Sequence, residues 1–285
     1  MDMPLISCEW LLSHLGEPGL VVLDATFCLP AQGRDAAAEF RAAHLPGALF
    51  FDIDLVADTD TTLPHMLPRP EQFAAAVGGM GIGNDTRVVV YDNNEFLASA
   101  RVWWTFRAFG HDRVAVLDGG LKRWIATGGP VEAEIASPSL PTRFDAVYRP
   151  ELVVALAQMR EMAGRADVRI IDARSFGRFA GSEPEPRPGL RSGHIPGSRS
   201  LHYRRLIDDA SGRMKSPDQL GEAFRAVGVD TDDRIVTSCG TGVTAATLAL
   251  ALARLGRWDI AVYDGSWTEW GGLPDTPIDV GPAGD

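Results

Sequence analysis

Two halves of this chain repeat one another in order, and that duplication constrains the fold more than any other feature. Val21-Val22-Leu23-Asp24-Ala25 matches Arg169-Ile170-Ile171-Asp172-Ala173, and His44-Leu45-Pro46-Gly47 matches His194-Ile195-Pro196-Gly197. Asp85-Thr86-Arg87-Val88-Val89-Val90-Tyr91 then matches Asp232-Asp233-Arg234-Ile235-Val236-Thr237-Ser238. Leu117-Asp118-Gly119-Gly120 with Trp124 matches Tyr263-Asp264-Gly265-Ser266 with Trp270. The spacing between partners drifts only slightly, as two copies of one domain with small loop insertions require.

Each half alternates short β-rich runs with helical stretches. In the second half Ile170–Asp172, Ile235–Ser238 and Ile260–Tyr263 read as strands, and Glu151–Ala163, Pro217–Val227 and Thr244–Leu255 as helices. Such alternation predicts an α/β fold, each copy a mostly parallel sheet with helices on both faces. Ser216-Pro217-Asp218-Gln219 encodes a helix start: an N-cap serine, proline at the first helical position and a glutamine for a capping box. The breakers from Gly128-Gly129-Pro130 through Pro138, Pro141 and Arg149-Pro150 mark a connection. The expected division is a first domain over 1–130, a linker over 131–150 and a second domain over 151–285.

The run Ile235 to Thr244 delivers one cysteine from a β-like segment into a glycine-containing loop that opens a helix. Gly240 and Gly242 permit backbone dihedrals that turn successive N–H groups toward one point, the sulfur of Cys239. Those amides and the positive end of the following helix would favour a sulfur anion. Most free cysteines of this kind are small buried hydrophobes, but a core cysteine needs neither the glycines nor the helix start. In the first copy the equivalent position is Asp92, so that copy has lost the nucleophile and the chemistry belongs to the second.

Composition narrows the alternatives. A formal net charge of -11 over 285 residues leaves no basic surplus for phosphate neutralisation, so nucleic acid and anionic membranes are not expected partners. The start, Met1-Asp2-Met3-Pro4, lacks a basic region and a long apolar core, so a cytoplasmic location is expected. Cys8, Cys28 and Cys239 show no metal-ligand spacing and no CxxC pair, and the six histidines form no cluster, so no metal is expected. A Cys-x5-Arg phosphatase loop is excluded because Ala245 stands at the sixth position after Cys239 and offers no fork for a phosphoryl dianion.

These residues resemble the two-domain rhodanese-like sulfurtransferases, in which an inactive N-terminal domain precedes a catalytic C-terminal one. The resemblance covers essentially the whole chain. It is carried by Phe40-Arg41-Ala42-Ala43-His44-Leu45-Pro46-Gly47-Ala48, Gly193-His194-Ile195-Pro196-Gly197 and Asp264-Gly265-Ser266-Trp267-Thr268-Glu269-Trp270. Cys239-Gly240-Thr241-Gly242-Val243-Thr244 is similar to the Cys-Gly-Ser-Gly-Val-Thr loop of the 3-mercaptopyruvate type, with threonine in place of serine. Thiosulfate types typically carry basic residues there, and Gly240-Thr241 supplies no charge to a thiosulfate dianion.

The resemblance implies sulfur transfer through a persulfide on Cys239, with 3-mercaptopyruvate as donor, no cofactor, and a thiol such as thioredoxin, or cyanide, as acceptor. Gly240, Gly242, Val243 and Thr244 would line the donor site. Arg178 and Arg187, within Gly177-Arg178-Phe179-Ala180-Gly181-Ser182-Glu183-Pro184-Glu185-Pro186-Arg187, would hold its carboxylate and carbonyl, a task suited to guanidinium forks. Asp54 and His65 would join Thr241 in a proton relay of the serine-protease kind. His44 and His194 are expected to fix turns in both copies, and tryptophans 103, 104, 124, 258, 267 and 270 to pack in the core. A thiosulfate sulfurtransferase and a non-catalytic persulfide carrier are the alternative readings.

Overall fold

Strands made of β-branched residues on both faces can persist only where both faces are covered, and the chain builds two such sheets. The computed structural model describes residues 3–29, 32–134, 140–230 and 232–282, so Met1, Asp2 and Pro138 lie outside the described residues. The chain divides into two compact units. Unit 1 holds Met1–Thr59, Leu67–Arg149 and Asp208–Met214, and unit 2 holds Asp60–Met66, Pro150–Ile207 and Lys215–Asp285.

Unit 1 runs β1 (Leu5–Ile6), α1 (Cys8–His14), β2 (Leu20–Asp24), α2 (Ala36–Ala42), β3 (Leu49–Phe50), α3 (Pro70–Gly79), β4 (Arg87–Tyr91), α4 (Ser99–Ala108), β5 (Val114–Leu117) and α5 (Gly120–Ala126). Its sheet has the order β1-β5-β4-β2-β3, all parallel. Val22, Val89, Tyr91, Ala115 and Leu117 form one core with Leu11 of α1, Phe40 of α2 and Trp124 of α5. The alternate positions Val88, Val90, Val114 and Val116 point to the opposite face, are fully buried, and α4 packs on those strands.

Unit 2 repeats the order. A 3-10 turn (Pro150–Leu152) leads into β6 (Val153–Val154), α6 (Leu156–Met162), β7 (Arg169–Asp172), α7 (Phe176–Ala180) and β8 (Arg199–Ser200). Then come a second 3-10 turn (Tyr203–Leu206), α8 (Pro217–Arg225), β9 (Ile235–Ser238), α9 (Ala245–Arg254), β10 (Ala261–Tyr263) and α10 (Ser266–Trp270). The parallel order is β6-β10-β9-β7-β8. Val236, Tyr263, Trp267 and Trp270 pack with Met159 of α6 on one face, while α9 lies against β9 and β10.

Local signals placed most elements well. The Ser216 hydroxyl accepts the Gln219 N–H at 3.4 Å and the Gln219 side chain accepts the Ser216 N–H at 3.1 Å, completing the expected capping box. One expectation is overturned. The helix expected over Glu151–Ala163 begins only at Leu156, because Val153 and Val154 pair with Val262 and Tyr263 as an edge strand. The stretch expected as a connection lies along unit 1: Thr142 N–H donates to Gly78, Val147 N–H to Phe109 and Arg149 N–H to Ala108.

His44 and His194 do fix the two turns. Each Nδ1 donates to a carbonyl, Phe40 at 2.6 Å and Phe179 at 2.9 Å, and each ring stacks on that phenylalanine. Five of the six tryptophans singled out are buried, whereas Trp258 is only half-buried.

The first copy's loop is closed by its own anion. The buried Asp92 carboxylate accepts N–H groups from Asn94 (3.2 Å), Phe96 (3.1 Å), Ala98 (3.3 Å) and Ser99 (2.9 Å). An asparagine would offer one acceptor oxygen and turn a donor amide toward the remaining N–H groups. Asp92→Asn is therefore expected to destabilise the protein by about 1–3 kcal/mol, lowering the thermal midpoint by about 2–4 °C per kcal/mol. A variant melting with the parent would show that the carboxylate is not what closes this loop.

Candidate active site

In a parallel sheet the chemistry gathers at the carboxyl ends of the strands, and Cys239 stands there as the residue after β9, the central strand. The sequence places it by register. Asp24 pairs with Tyr91 in unit 1 and Asp172 with Ser238 in unit 2, so Asp92 and Cys239 occupy the same next position. Cys239 is buried, as are Thr241, Gly242 and Val243, whereas Gly240 and Thr244 are half-exposed.

Hydrogen bonds orient this loop one peptide at a time. The Cys239 carbonyl accepts Trp267 N–H at 3.0 Å, and the Gly240 carbonyl accepts Thr268 N–H at 2.9 Å and its hydroxyl at 2.7 Å. In a trans peptide the following N–H points opposite to the carbonyl. The Gly240 and Thr241 N–H groups are consequently turned away from α10. Gly242 adopts φ 75°, the left-handed conformation that reverses the chain into α9.

Ser266 is the structural difference between the two copies at this point. Leu121 N–H donates to the Asp92 carbonyl at 3.0 Å just as Trp267 does to Cys239, and Gly120 (φ 56°) matches Ser266 (φ 49°). A serine held in left-handed backbone is strained. Its buried hydroxyl accepts the Cys239 N–H at 3.1 Å and donates to the Tyr263 carbonyl at 2.8 Å, so it anchors the amide of Cys239 itself. At Gly120 a Cβ would overlap the Asp92 carbonyl oxygen, so the first copy cannot take this device.

Arg178 of α7 lies over the loop. A Cβ built on Gly240 would stand 3.1 Å from its Nη2. The loop carries no cation of its own, as the sequence indicates, but folding supplies one beside Gly240. Arg178 Nη2 and Nε donate to Glu185 at 2.5 and 3.2 Å. The other Glu185 oxygen accepts from Arg174 Nη1 at 2.7 Å. Arg174 also forks onto Asp172, donates to the Gly193 carbonyl and rests 4.3 Å over the Trp267 ring.

Arg174, Asp172 and Glu185 have side chains no more than 2% exposed, and two acids balance two guanidinium groups. Burial works against the Arg174 charge, but Asp172 and then Glu185 more than offset it and hold the guanidinium protonated. Burial, reinforced by the Arg204 and Arg178 charges, pushes the half-buried His202 imidazole below its usual value. Arg187 is half-buried and has no ion-pair partner among the described residues.

Asp54 is exposed in unit 1, where it lines a cleft of about 290 Å³ with Thr26, Cys28, Arg34 and Asp52. His65 belongs to unit 2, is buried and sits at φ 61°. Arg174, Glu185, Ser266 and His202 were not found by sequence reasoning. A signal for two of them was present: Asp24-Ala25-Thr26 against Asp172-Ala173-Arg174, and Gly120 against Ser266, are positions where the copies differ at matched strand ends.

Strain and hydrogen bonding at residue 266 give an unusual expected order of stability. Ser266→Ala loses the acceptor for a buried N–H, costing about 1–3 kcal/mol, and keeps the left-handed strain. Ser266→Gly loses the same acceptor but relieves about 1–2 kcal/mol of strain. Glycine should therefore be the more stable variant, the reverse of ordinary positions, and denaturant midpoints that rank alanine above glycine would refute the account.

Residues 7–127 and 155–273 each match the family described as Rhodanese-like domain. The chain is 43% identical over 296 residues to "Thiosulfate/3-mercaptopyruvate sulfurtransferase 1, mitochondrial" of Arabidopsis thaliana, covering 97% of this chain and 78% of that one. It is 40% identical over 276 residues to the 3-mercaptopyruvate sulfurtransferase of Escherichia coli K12, covering 96% and 97%. The crystal structure of SseA from Escherichia coli, described as a 3-mercaptopyruvate sulfotransferase, superposes with a TM-score of 0.84 at 38% identity, over 93% of this chain and 99% of that one. With its two parallel sheets and two matches to the family along its length, this chain belongs to the rhodanese-like family as a tandem of two such domains.

Proposed function

We propose that this protein is a 3-mercaptopyruvate sulfurtransferase. One observation carries the reading: a cysteine at the end of the central strand has a guanidinium against the adjoining glycine. A nucleophile for sulfur and a cation for a carboxylate thus share one site. The relatives' names support the same donor.

In the proposed cycle the Cys239 thiolate attacks the sulfur of 3-mercaptopyruvate. An S–S bond forms, the S–C bond breaks, and its electron pair leaves with pyruvate as the enolate, which takes up a proton. The persulfide is held by the amides of Gly240, Thr241, Gly242, Val243 and Thr244. An acceptor thiolate, or cyanide, then attacks the outer sulfur and returns Cys239 as a thiolate. Arg178 and Arg187 would receive the donor's carboxylate and carbonyl.

Proton traffic is assigned to Asp54, His65 and Thr241. The substrate thiol must lose a proton and the enolate must gain one, and an imidazole suits both tasks near neutrality. Support comes from His65, buried and held at φ 61° in the same compact unit as Thr241, since such backbone persists only where surroundings impose it. Thioredoxin as acceptor and a cytoplasmic location belong to the same proposal. Among the described residues no helix is long and apolar enough to cross a membrane.

A weaker thiosulfate activity is favoured by the Arg178 guanidinium beside Gly240, which could receive that dianion although the loop itself is uncharged.

Steady-state assays should give a higher kcat/KM for mercaptopyruvate than for thiosulfate, and parity or reversal would overturn the donor assignment. Without acceptor, mass spectrometry should find one added sulfur on Cys239, absent in Cys239→Ser; an adduct on Cys8 or Cys28 would contradict the route. Thr241→Ala and His65→Ala should each lower kcat for mercaptopyruvate by about 10²–10⁴. The double variant should be little worse than the poorer single one. Strictly multiplicative losses would remove the relay.

A further inference from the structure

We propose that Glu185 is a positioning residue for Arg178, and that Gly240 lacks a side chain because the guanidinium Glu185 holds occupies the space. The inference rests on the reading of Arg178 as a donor-carboxylate residue.

Arg178 is the partly exposed end of a buried chain of charges. Its side chain is 24% exposed, against 2% for Glu185 and 1% for Arg174. Glu185 Oε2 accepts from Nη2 at 2.5 Å and from Nε at 3.2 Å, and Oε1 accepts from Nε at 3.3 Å, contacts that together fix the plane of the guanidinium. Nη1 makes no hydrogen bond among the described residues, which leaves the Nη1–Nη2 edge for a planar carboxylate. Glu185 in turn cannot swing away, because Oε1 is also held by Arg174, itself forked onto Asp172 and stacked on Trp267.

A guanidinium on a free side chain would yield to a new methyl group. This one is pinned from behind, so the 3.1 Å left between Arg178 Nη2 and a Cβ at position 240 is a real constraint. Any residue larger than glycine at 240 requires Arg178 or the loop to give by a few tenths of an ångström, which shifts the guanidinium against Glu185. Trp267 couples the two sides, since its ring supports Arg174 while its backbone N–H holds the Cys239 carbonyl.

The test is a double-mutant cycle on the full chain, reading mercaptopyruvate KM and, separately, the rate at which cyanide discharges preloaded persulfide. Arg178→Gln should raise KM by about ten- to a hundredfold, the loss of one charge-assisted hydrogen bond. Gly240→Ala and Glu185→Gln should each raise KM about tenfold or more in the parent, yet less than about twofold in the Arg178→Gln background, where no guanidinium remains to misplace. Glu185→Gln should leave persulfide discharge within about twofold of the parent, a separation that a merely structural loss would not produce.

Equal KM effects of Gly240→Ala with and without Arg178 would overturn the inference, as would equal losses in both half-reactions of Glu185→Gln. A parental KM in Arg178→Gln would instead refute the donor-carboxylate reading. A raised KM there, beside parental values in the other two variants, would refute only the positioning. Gly240→Ala removes no charge from the cluster, so it keeps the test decisive if Glu185→Gln fails to fold.

Discussion

The rest of the site depends on one main-chain hydrogen bond, from Trp267 N–H to the Cys239 carbonyl. It ties the end of the central strand to the start of α10, and with its neighbour from Thr268 it turns two carbonyls to one side of the loop. Trans geometry then sends the following N–H groups to the other side. An anion-holding loop thus arises from backbone alone. The same bond exists in the first copy, from Leu121 to Asp92, so the cradle is a property of the fold and not of the chemistry.

Three matched positions distinguish the copy that carries Cys239 from the copy that carries Asp92. Where unit 2 has Cys239, unit 1 has Asp92, whose carboxylate fills the amide cradle permanently. Where unit 2 has Arg174, unit 1 has Thr26, whose hydroxyl accepts the Asn93 N–H and builds no charge network. Where unit 2 has the strained Ser266, unit 1 has the relaxed Gly120. Asp92 and Thr26 satisfy loop N–H groups locally in unit 1, whereas in unit 2 Arg174 and Ser266 are held at a cost in desolvation and strain.

Buried ion pairs are poor evidence of stability, since desolvation consumes much of the attraction. The cluster of Asp172, Arg174, Glu185 and Arg178 is better understood as geometry. It carries a guanidinium from the core to the loop surface with every intermediate charge matched. That explains how a short helix in a proline-rich segment can present a precise cation.

Much was legible in the chain itself: the duplication, the parallel alternation, the capping box at Ser216, the two histidine turns and the cysteine at a strand end are all written in runs of a few adjacent residues. The helix expected from Glu151 failed because Val153 and Val154 are claimed by Val262 and Tyr263, a pairing across the fold that overrides local preference. Arg174 and Glu185 escaped notice because a buried charge is meaningful only beside its partners. Ser266 escaped because its strain shows in a dihedral and not in a letter. The sequence by itself determined that Cys239 stands at a strand end and that Asp92 takes the matching place in the other copy, since strand, turn and helix start are local. The tertiary structure decided which charge lies beside Gly240 and what holds it there, because those residues meet only when separated strands and loops fold into hydrogen-bond reach.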